Sequence, residues 1–594
     1  MKAFLVSVTW TILALLLLPP VPTSSEAVSA LLELAKQEFE IAPSDVKFFE
    51  AVERGATADY SGKTDEKNDL AKARSWPDER ALKADRISWL CTDPEAALLV
   101  TGRGISIEGA RIDGSLNLAF VRIPFPLFFT DCALLEPIDL TWAEVYGLYL
   151  VGTHTSSISA GGLQAKGDVA MSDGFQAEGE VRLHNAVIGG DLVCSGGHFN
   201  NKSGRAIVAD GMEVRGSVFL ESGFRAKGEV NFIGATICGN FECWGGHFSN
   251  EDAQALVLSR LKAKGDVNLS ANFRAEGEVL LVGAEIEGDL ICRGGQFINS
   301  GQSAIEAEGV EVGGSVFMDQ GFQADGRVSL AGAKIAGFLA WYNVASPSEV
   351  NLDLRCARIG TLAGDATSWP RQGQLFLDGL IYDRIFDSSP IDVSTRIRWL
   401  RLQPTVPFHP QPYEQLADVL SQSGLEIDAK KILIEKNKDY VRFGQIDFED
   451  WLWYRLFGPM VGYGYQPLNA LWWAFGTVAL GYILFGIGKR LGLITPSEDI
   501  VWPHDTMVDN QRPLDNYPRF NALVYSLDAF VPLVNLHLES YWLPNANRGR
   551  TLVKAGKLRL SAGSVLRAYL WIHILVGWIF TTLLIVGLTG LIRT

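Results

Sequence analysis

The chain has 594 residues, of which 52 are basic, 68 acidic and 60 glycine, so its formal charge is −16. That balance argues against a nucleic-acid partner, which needs a basic face, and equally against a polyanionic sugar. With 47% apolar, 10% aromatic and 20% charged residues the chain is not disordered, and the usual ~150 residues per domain does not apply to a chain that repeats.

Residues 1–26 place Lys2 before an apolar run from Ala3 to Leu18, with Pro19, Pro20 and small residues behind it. This is the layout of a secretory signal peptide, with an uncleaved anchor as the alternative, and it predicts export of the domain behind it. An exported domain meets an oxidising compartment. The seven cysteines are Cys91, Cys132, Cys194, Cys238, Cys243, Cys292 and Cys356, an odd number that cannot all pair within one chain. Three of them share one repeat position, which fits buried packing better than a disulfide framework. Residues 28–97 read as an N-terminal helical cap. Leu31, Leu32, Leu34 and Ala35 share one apolar face, and Phe48, Phe49, Ala51 and Val52 form another. Such helices cover the open end of a solenoid, whose last coil otherwise exposes unpaired strand groups.

Residues 98–386 carry a 49-residue repeat. Four segments align without a gap, beginning LQAKGDVAM at Leu163, MEVRGSVFL at Met212, LKAKGDVNL at Leu261 and VEVGGSVFM at Val310. Gly167, Gly216, Gly265 and Gly314 keep this interval, as do Gly179, Gly228, Gly277 and Gly326. Cys194, Cys243 and Cys292 keep it too, with Phe199, Phe248 and Phe297. Within a copy, Phe175, Ala177, Gly179, Val181 and Leu183 alternate with Gln176, Glu178, Glu180 and Arg182, the period of a half-buried strand. Short alternating strands at regular spacing, without helix-length intervals, predict a mostly β fold: a parallel β-solenoid. Two coils of 24 or 25 residues per repeat are expected, with a tighter winding as the alternative. GARIDGSLNL at Gly109 starts the pattern near Leu98, and GQLFLDGLIYDRI, Gly373 to Ile385, reads as the closing rung. Residues 340–372 are irregular, a break that suits a cap or an added site.

Residues 387–412 carry Pro404, Pro407, Pro410 and Pro412 and read as a linker. Residues 413–455 come next as a helix-turn-helix adaptor, with Leu416 and Leu420 on one helix, Gly424 between, and Ala429, Ile432 and Leu433 on the other. Residues 456–594 read as a membrane domain. Leu468 to Ile487 and Ala568 to Ile592 are uncharged and long enough to span ~30 Å of hydrocarbon, so the two helices make a lipid bilayer the first expected partner. His573 lies in the first turns of the second span. An ionisable residue there is a functional candidate, although a place so near the interface predicts a solvated side chain. Lys489 and Arg490 after the first span, and Arg548, Arg550, Lys554, Lys557, Arg559 and Arg567 before the second, put the connecting loop in the cytoplasm. The solenoid is then outside, in agreement with the signal peptide, while Lys430, Lys431, Lys436, Lys438 and Arg442 pull the other way. Inside the loop, Asp528, Pro532, His537 and Glu539 argue against a full span over Phe520–Pro544, leaving a re-entrant hairpin or an interfacial helix. A channel filter of backbone carbonyls such as TVGYG is not there; PLVNLH stands in its place.

No dinucleotide fingerprint, Walker loop, HExxH or GxSxG is present. Cys194 with His198 and Cys243 with His247 share a CxGGH spacing, but the third copy has Gln296. Stacked thiols beside a Gly-Gly turn account for this better than a metal. Asp191 and Asp289, with Asn240 between them in the repeat, read as turn residues. No catalytic residue, cofactor or metal is therefore expected, and the candidate functional residues are Asp528, His537, Glu539 and His573.

GARIDGSLNL, SWPRQGQLFLDGLIYDRI, QPYEQLADVLSQSGLEIDAKKILIEK, GYGYQPLNALWW, YSLDAFVPLVNLHLESYW and GWIFTTLLIVGLTGLI occur in this order. Together they resemble a family of bacterial membrane-associated proteins, sometimes labelled oxidoreductases. The resemblance implies a β-solenoid and, after it, two C-terminal transmembrane helices, and carries over no catalytic residues. The signal peptide is a departure from that pattern. Three functions compete. The first is an exported binding or scaffold protein, tethered to the inner membrane and presenting its solenoid face to an envelope protein or polymer. The second is an oligomeric channel-like or sensor protein using residues 520–544, since two spans cannot enclose a pore alone. The third is a carbohydrate-active enzyme, which needs a carboxylate cluster along one groove.

Overall fold

The structure, a computed structural model, describes residues 29–62, 70–389, 391–456, 458–497, 517–532, 536–555 and 558–589. The segment expected to be a signal peptide and the end of the second expected span lie outside these residues. The chain divides into two compact units, with the boundary between Ile391 and Asp392.

The first unit opens with helices α1 (Ala30–Glu38), α2 (Pro43–Arg54), α3 (Ala84–Thr92) and α4 (Pro94–Leu99). Their apolar faces are buried as expected, with Leu31, Ala35, Phe48, Phe49 and Val52 inaccessible to solvent. Two short strands from this region join the sheets, Ala58–Asp59 beside Ile107–Glu108 and Ala81–Lys83 beside Arg111–Asp113. The sheets therefore begin well before Leu98, which itself sits on α4.

From Ile105 to Ile385 the chain winds as a parallel β-solenoid of about twelve coils. The early coils carry four short strands, two in each of two sheets, as in Gln164–Ala165, Val169–Ala170, Gln176–Ala177 and Val181–Arg182; from His198 on the pair in one sheet is joined into a single strand, as in His198–Val208 and Arg225–Asn231. The 49-residue period resolves into two unequal coils, a long one and a short one. Leu192 pairs with Val218 across the long coil and Val218 with Phe241 across the short one; Phe241–Val267 and Val267–Leu290 repeat the alternation. The extra residues of the long coil form a bulge. Opposite Ala177 and Val181 stand Phe199 and Ile207, so the segment between them is looped out. Asn201, Asn250 and Asn299 close the three bulges, each donating its amide N–H to the carbonyl four residues later at 2.8, 2.7 and 2.6 Å.

Two ladders explain the remaining repeat positions. The first is aromatic: Phe175, Phe199, Phe224, Phe248, Phe273, Phe297, Phe322 and Trp341 stack one per coil, with ring centroids 5.0 to 5.7 Å apart. The second is polar. Asp168, Asp191, Ser217, Asn240, Asp266, Asp289 and Ser315 each accept the backbone N–H of the corresponding residue in the next coil, at 2.7 to 3.1 Å. The glycine before each of these residues leaves room for the acceptor: a Cβ on Gly216, Gly265 or Gly314 would collide with the Asp191, Asn240 or Asp289 side chain. Asp191 and Asp289 are thus structural, as their repeat position predicted. The irregular stretch 340–372 still supplies rungs, Val350–Asp353 and Arg358–Gly364. It is fastened by Trp341, whose indole N–H donates to the Ser368 carbonyl at 2.7 Å. Leu375–Phe376 and Ile381–Ile385 close the coil sequence as expected.

In the second unit the segment expected to be a linker contains helix α5 (Val393–Leu400), capped by Asp392 and burying Ile397, Trp399 and Leu400. Five prolines obscure this short helix because none of them falls inside it. Helices α6 (Gln411–Gln422), α7 (Glu426–Phe443) and α8 (Phe448–Leu456) come after it. Asp439, almost fully buried on α7, accepts from Arg401 at 2.7 Å and from the Tyr413 hydroxyl at 2.9 Å. The chain ends in α9 (Asn469–Arg490), α10 (Ala522–Phe530), the single turn α11 (Leu538–Tyr541) and α12 (Ala562–Thr589). Helices α9 and α12 are long and apolar enough to cross a membrane. α12 starts at Ala562, ahead of the span expected from Ala568, because Ser561 caps it by accepting the Ser564 N–H at 3.0 Å.

Candidate functional site

The four candidate residues of the second unit lie on or beside the hairpin between α9 and α12. Helix α10, at 9 residues, is about 13.5 Å long at ~1.5 Å per residue, too short to cross ~30 Å. It lies between the two long helices because they carry glycine where it docks. A Cβ on Gly481 of α9 would strike the Ser526 hydroxyl, and one on Gly577 of α12 would strike the Phe530 carbonyl. Both ends of the hairpin return to the C-terminal end of α9: the Lys489 ammonium lies 5.6 Å from the Phe520 ring and 3.5 Å from the Trp542 ring. After α11, Trp542–Pro544 pairs antiparallel with Ile494–Pro496. The tip reaches the other way, with Phe530 packed among Val461, Ala470, Val478 and Phe580.

At the centre of this bundle the Ser526 hydroxyl donates to the Val478 carbonyl at 2.9 Å. His573 Nε2 lies 3.1 Å from the Ser526 carbonyl, which can only accept, so Nε2 carries the proton. Nδ1 then accepts from the Tyr569 hydroxyl at 3.3 Å, and a neutral imidazole is fully satisfied. Phe485, Phe530 and Tyr569 surround the ring at 5.5 to 5.6 Å. His573 is 1% exposed, so the solvated setting expected for it is overturned. The early start of α12 places it well inside the helix rather than in the first turns.

Asp528 and Glu539 come together at the hairpin. The Asp528 carboxylate, 8% exposed, accepts the N–H groups of Leu536 at 2.6 Å and Glu539 at 2.8 Å. It therefore ties α10 to Leu536 and to the start of α11. His537 stands exposed beside it with φ +60°. The bundle core joins His573 to Ser526, two positions before Asp528. Neither Ser526 nor Tyr569 stands out in the sequence. Tyr569 is readable in retrospect, one helical turn before His573 and so on the same face; Ser526 carries no such signal.

In the solenoid, Cys194, Cys243 and Cys292 are buried in the core, and burial pushes all three thiols far above their ordinary value. His247 faces Glu276 at 3.4 Å. Glu221 and Asp319 occupy one repeat position at a coil corner and are buried there. Burial, reinforced by the neighbouring Glu242 carboxylate and offset by Trp244, pushes Glu221 up to about 7. Asp319 pairs with Arg293 at 3.1 Å. A groove of about 580 Å³ crosses the last coils between Glu285 and Asp383. Two of its carboxylates are held by lysines of adjacent coils, Glu285 by Lys262 at 3.2 Å and Glu311 by Lys334 at 2.5 Å. Among the described residues no three histidine, cysteine or acidic side chains converge as metal ligands do.

Comparison with family models, with curated proteins and with solved structures finds no match to the chain. The architecture implied by the sequence motifs, a β-solenoid with two apolar helices after it, is present.

Proposed function

We propose that this protein is a membrane-tethered scaffold of the bacterial envelope, whose solenoid lies outside the inner membrane and binds an envelope polymer or protein. The observation that carries this reading is the row of three Asn-locked bulges. They occur on every second coil, ~9.6 Å apart at two coil spacings, and present different side chains on one backbone: Lys202 and Arg205, then Glu251 and Asp252, then Ser300 and Gln302. A rigid repeated backbone with variable tips suits recognition of an extended partner. Helices α9 and α12 supply the tether, with Trp472, Phe475, Leu575 and Trp578 turned outward. The −16 charge keeps the exported surface soluble.

Protease accessibility in spheroplasts tests the reading, with one cleavable tag at Gly301, on the third bulge where a side chain meets nothing within 4 Å, and one at Asn510. Cleavage at Gly301 alone is the expected result. Protection of Gly301 with cleavage at Asn510 refutes an exported solenoid. The α10 hairpin favours a second reading, an oligomeric channel-like or sensor protein in which residues 520–544 re-enter the bilayer. Conductance that changes on Asp528→Asn substitution supports it, and a strictly monomeric protein excludes it.

A further inference from the structure

Every coil turns one corner through a residue in the left-handed region, whose N–H donates to the next coil. Glycine holds this position at Gly162, Gly211, Gly234 and Gly283, with φ between +63° and +69°. Asn185, Arg260 and Cys356 hold it at three other coils, and bulky side chains there are strained. Yet two consecutive coils near the N-terminal end place Phe120 and Trp142 at it, with φ +61° and +56°. Neither ring is hidden: Phe120 is 78% and Trp142 55% exposed. The indole lies over the next corner, where a Cβ on Gly162 would come within 2.5 Å of it. The His184 imidazole lies over Gly161 from the neighbouring coil, and it too would collide with a Cβ there. Three rings thus line one corner, Phe120 and Trp142 on adjacent coils and His184 two coils beyond Trp142, and Tyr146, on the same coil as Trp142, is 55% exposed.

Backbone strain retained to display apolar surface points to a binding role. The surroundings decide the occupant. Arg122 and Glu144 between these aromatics are exposed and paired with each other at 3.2 Å, so the corner carries hydrogen-bonding groups without net charge. A chain of charge −16 repels polyanions and anionic bilayers. We infer that the Phe120–Trp142–His184 corner is a stacking platform for the sugar rings of an uncharged polysaccharide, the apolar ring faces lying on the aromatics and the hydroxyls on the flanking polar groups. This names the polymer in the function proposed above and rests on that reading for its biological setting; the platform itself is a property of the coils.

The test uses the full-length protein in phosphatidylcholine nanodiscs, titrated with the hexamer of β-1,4-linked N-acetylglucosamine and, separately, with polygalacturonate. Binding of the neutral hexamer is expected, unchanged when salt rises from ~50 to ~500 mM, with no binding of the polyanion. Phe120→Gly with Trp142→Gly is expected to weaken binding at least ~10-fold, while Phe120→Tyr with Trp142→Tyr retains it. Phe120→Gly alone, which removes strain and little packing, is expected to leave Tm unchanged or higher, so its loss of binding is not a loss of fold. Failure of the wild-type protein to bind the hexamer, or equal binding by the double glycine variant, overturns the platform. So does quenching of Trp142 by brominated phosphatidylcholine, read as the difference from Trp142→Phe, which assigns the corner to the bilayer surface. Because binding in nanodiscs is independent of which side faces the periplasm, a cytoplasmic solenoid in the tag experiment refutes the envelope function and leaves this result standing.

Discussion

Single side chains in the solenoid act through the coil next to them. Asp289 accepts the Ser315 N–H at 2.7 Å, and Asp289→Ala leaves that donor unpaired, at about 1–3 kcal/mol. Asp289→Asn is expected to cost far less, because Asn240 already fills the equivalent place one repeat earlier; denaturant unfolding of the two variants measures the difference. Glu221 sets a pH dependence whose sign comes from its environment. Its folded value, about 7, lies above the ordinary ~4.3 of an unfolded glutamate, so the folded state binds the extra proton. The stability linked to that proton is fully present below about pH 4 and is lost as pH rises through 7. Glu221→Gln is therefore expected to flatten this part of the stability profile, read as Tm against pH. The strained aromatics were open to inspection in the sequence: aligned by coil, the Phe and Trp of LAFV and LTWAEV fall where most later coils have glycine. A coil of 24 or 25 residues does not bring them into line, because the early coils advance by 21 or 22 residues, as from Ile105 to Leu127 and from Leu127 to Leu148.

The coil is the element that the 49-residue period conceals. Glycine, cysteine and phenylalanine all return at the full period, so they reveal the double coil and hide its division into a long half and a short one. The intervening aromatics Phe175, Phe224, Phe273 and Phe322 fall almost midway between the Phe199, Phe248 and Phe297 that mark the repeat, so the aromatic spacing conceals the unequal coils that the strand register shows. Phe248→Ala removes one ring from the middle of the stack. A loss of about 3–5 kcal/mol is expected, and because each coil contacts only its neighbours, hydrogen exchange should rise first in the coils flanking residue 248. At the bulge, Gly277 has φ +124°, and a Cβ there would come within 2.5 Å of the Asn250 carbonyl and 2.7 Å of the Ala253 carbonyl. In the C-terminal helices the packing of α10 was not readable in advance. Its docking depends on Gly481 and Gly577, ordinary residues in an apolar helix until the partner is known. Gly577→Val is expected to unseat the hairpin, seen as new proteolytic cleavage near Leu536–Glu539 in detergent-solubilised protein with the solenoid still intact.

Across the whole molecule, two kinds of order are joined in one chain: a solenoid built from neighbour contacts and a helical unit built from a few close approaches. The alternation of plain and bulged coils has a consequence for how such a protein changes length. Between residues 198 and 306, where plain and bulged coils alternate, coil number is free to drift only in steps of two. Excision of Met212–Arg260 removes one full period, joins Gly211 to Leu261 where Arg260 stood, and brings each ladder back onto its own kind. Excision of the single short coil Val218–Asn240 instead sets the bulge of residues 198–208 directly against that of residues 247–257, with no plain coil to part them. The first deletion is expected to yield a shorter, folded protein and the second an aggregate, as size-exclusion chromatography would tell. Duplication and loss in this lineage would then be counted in pairs of coils, and the bulges would stay along a single flank however many pairs accumulate.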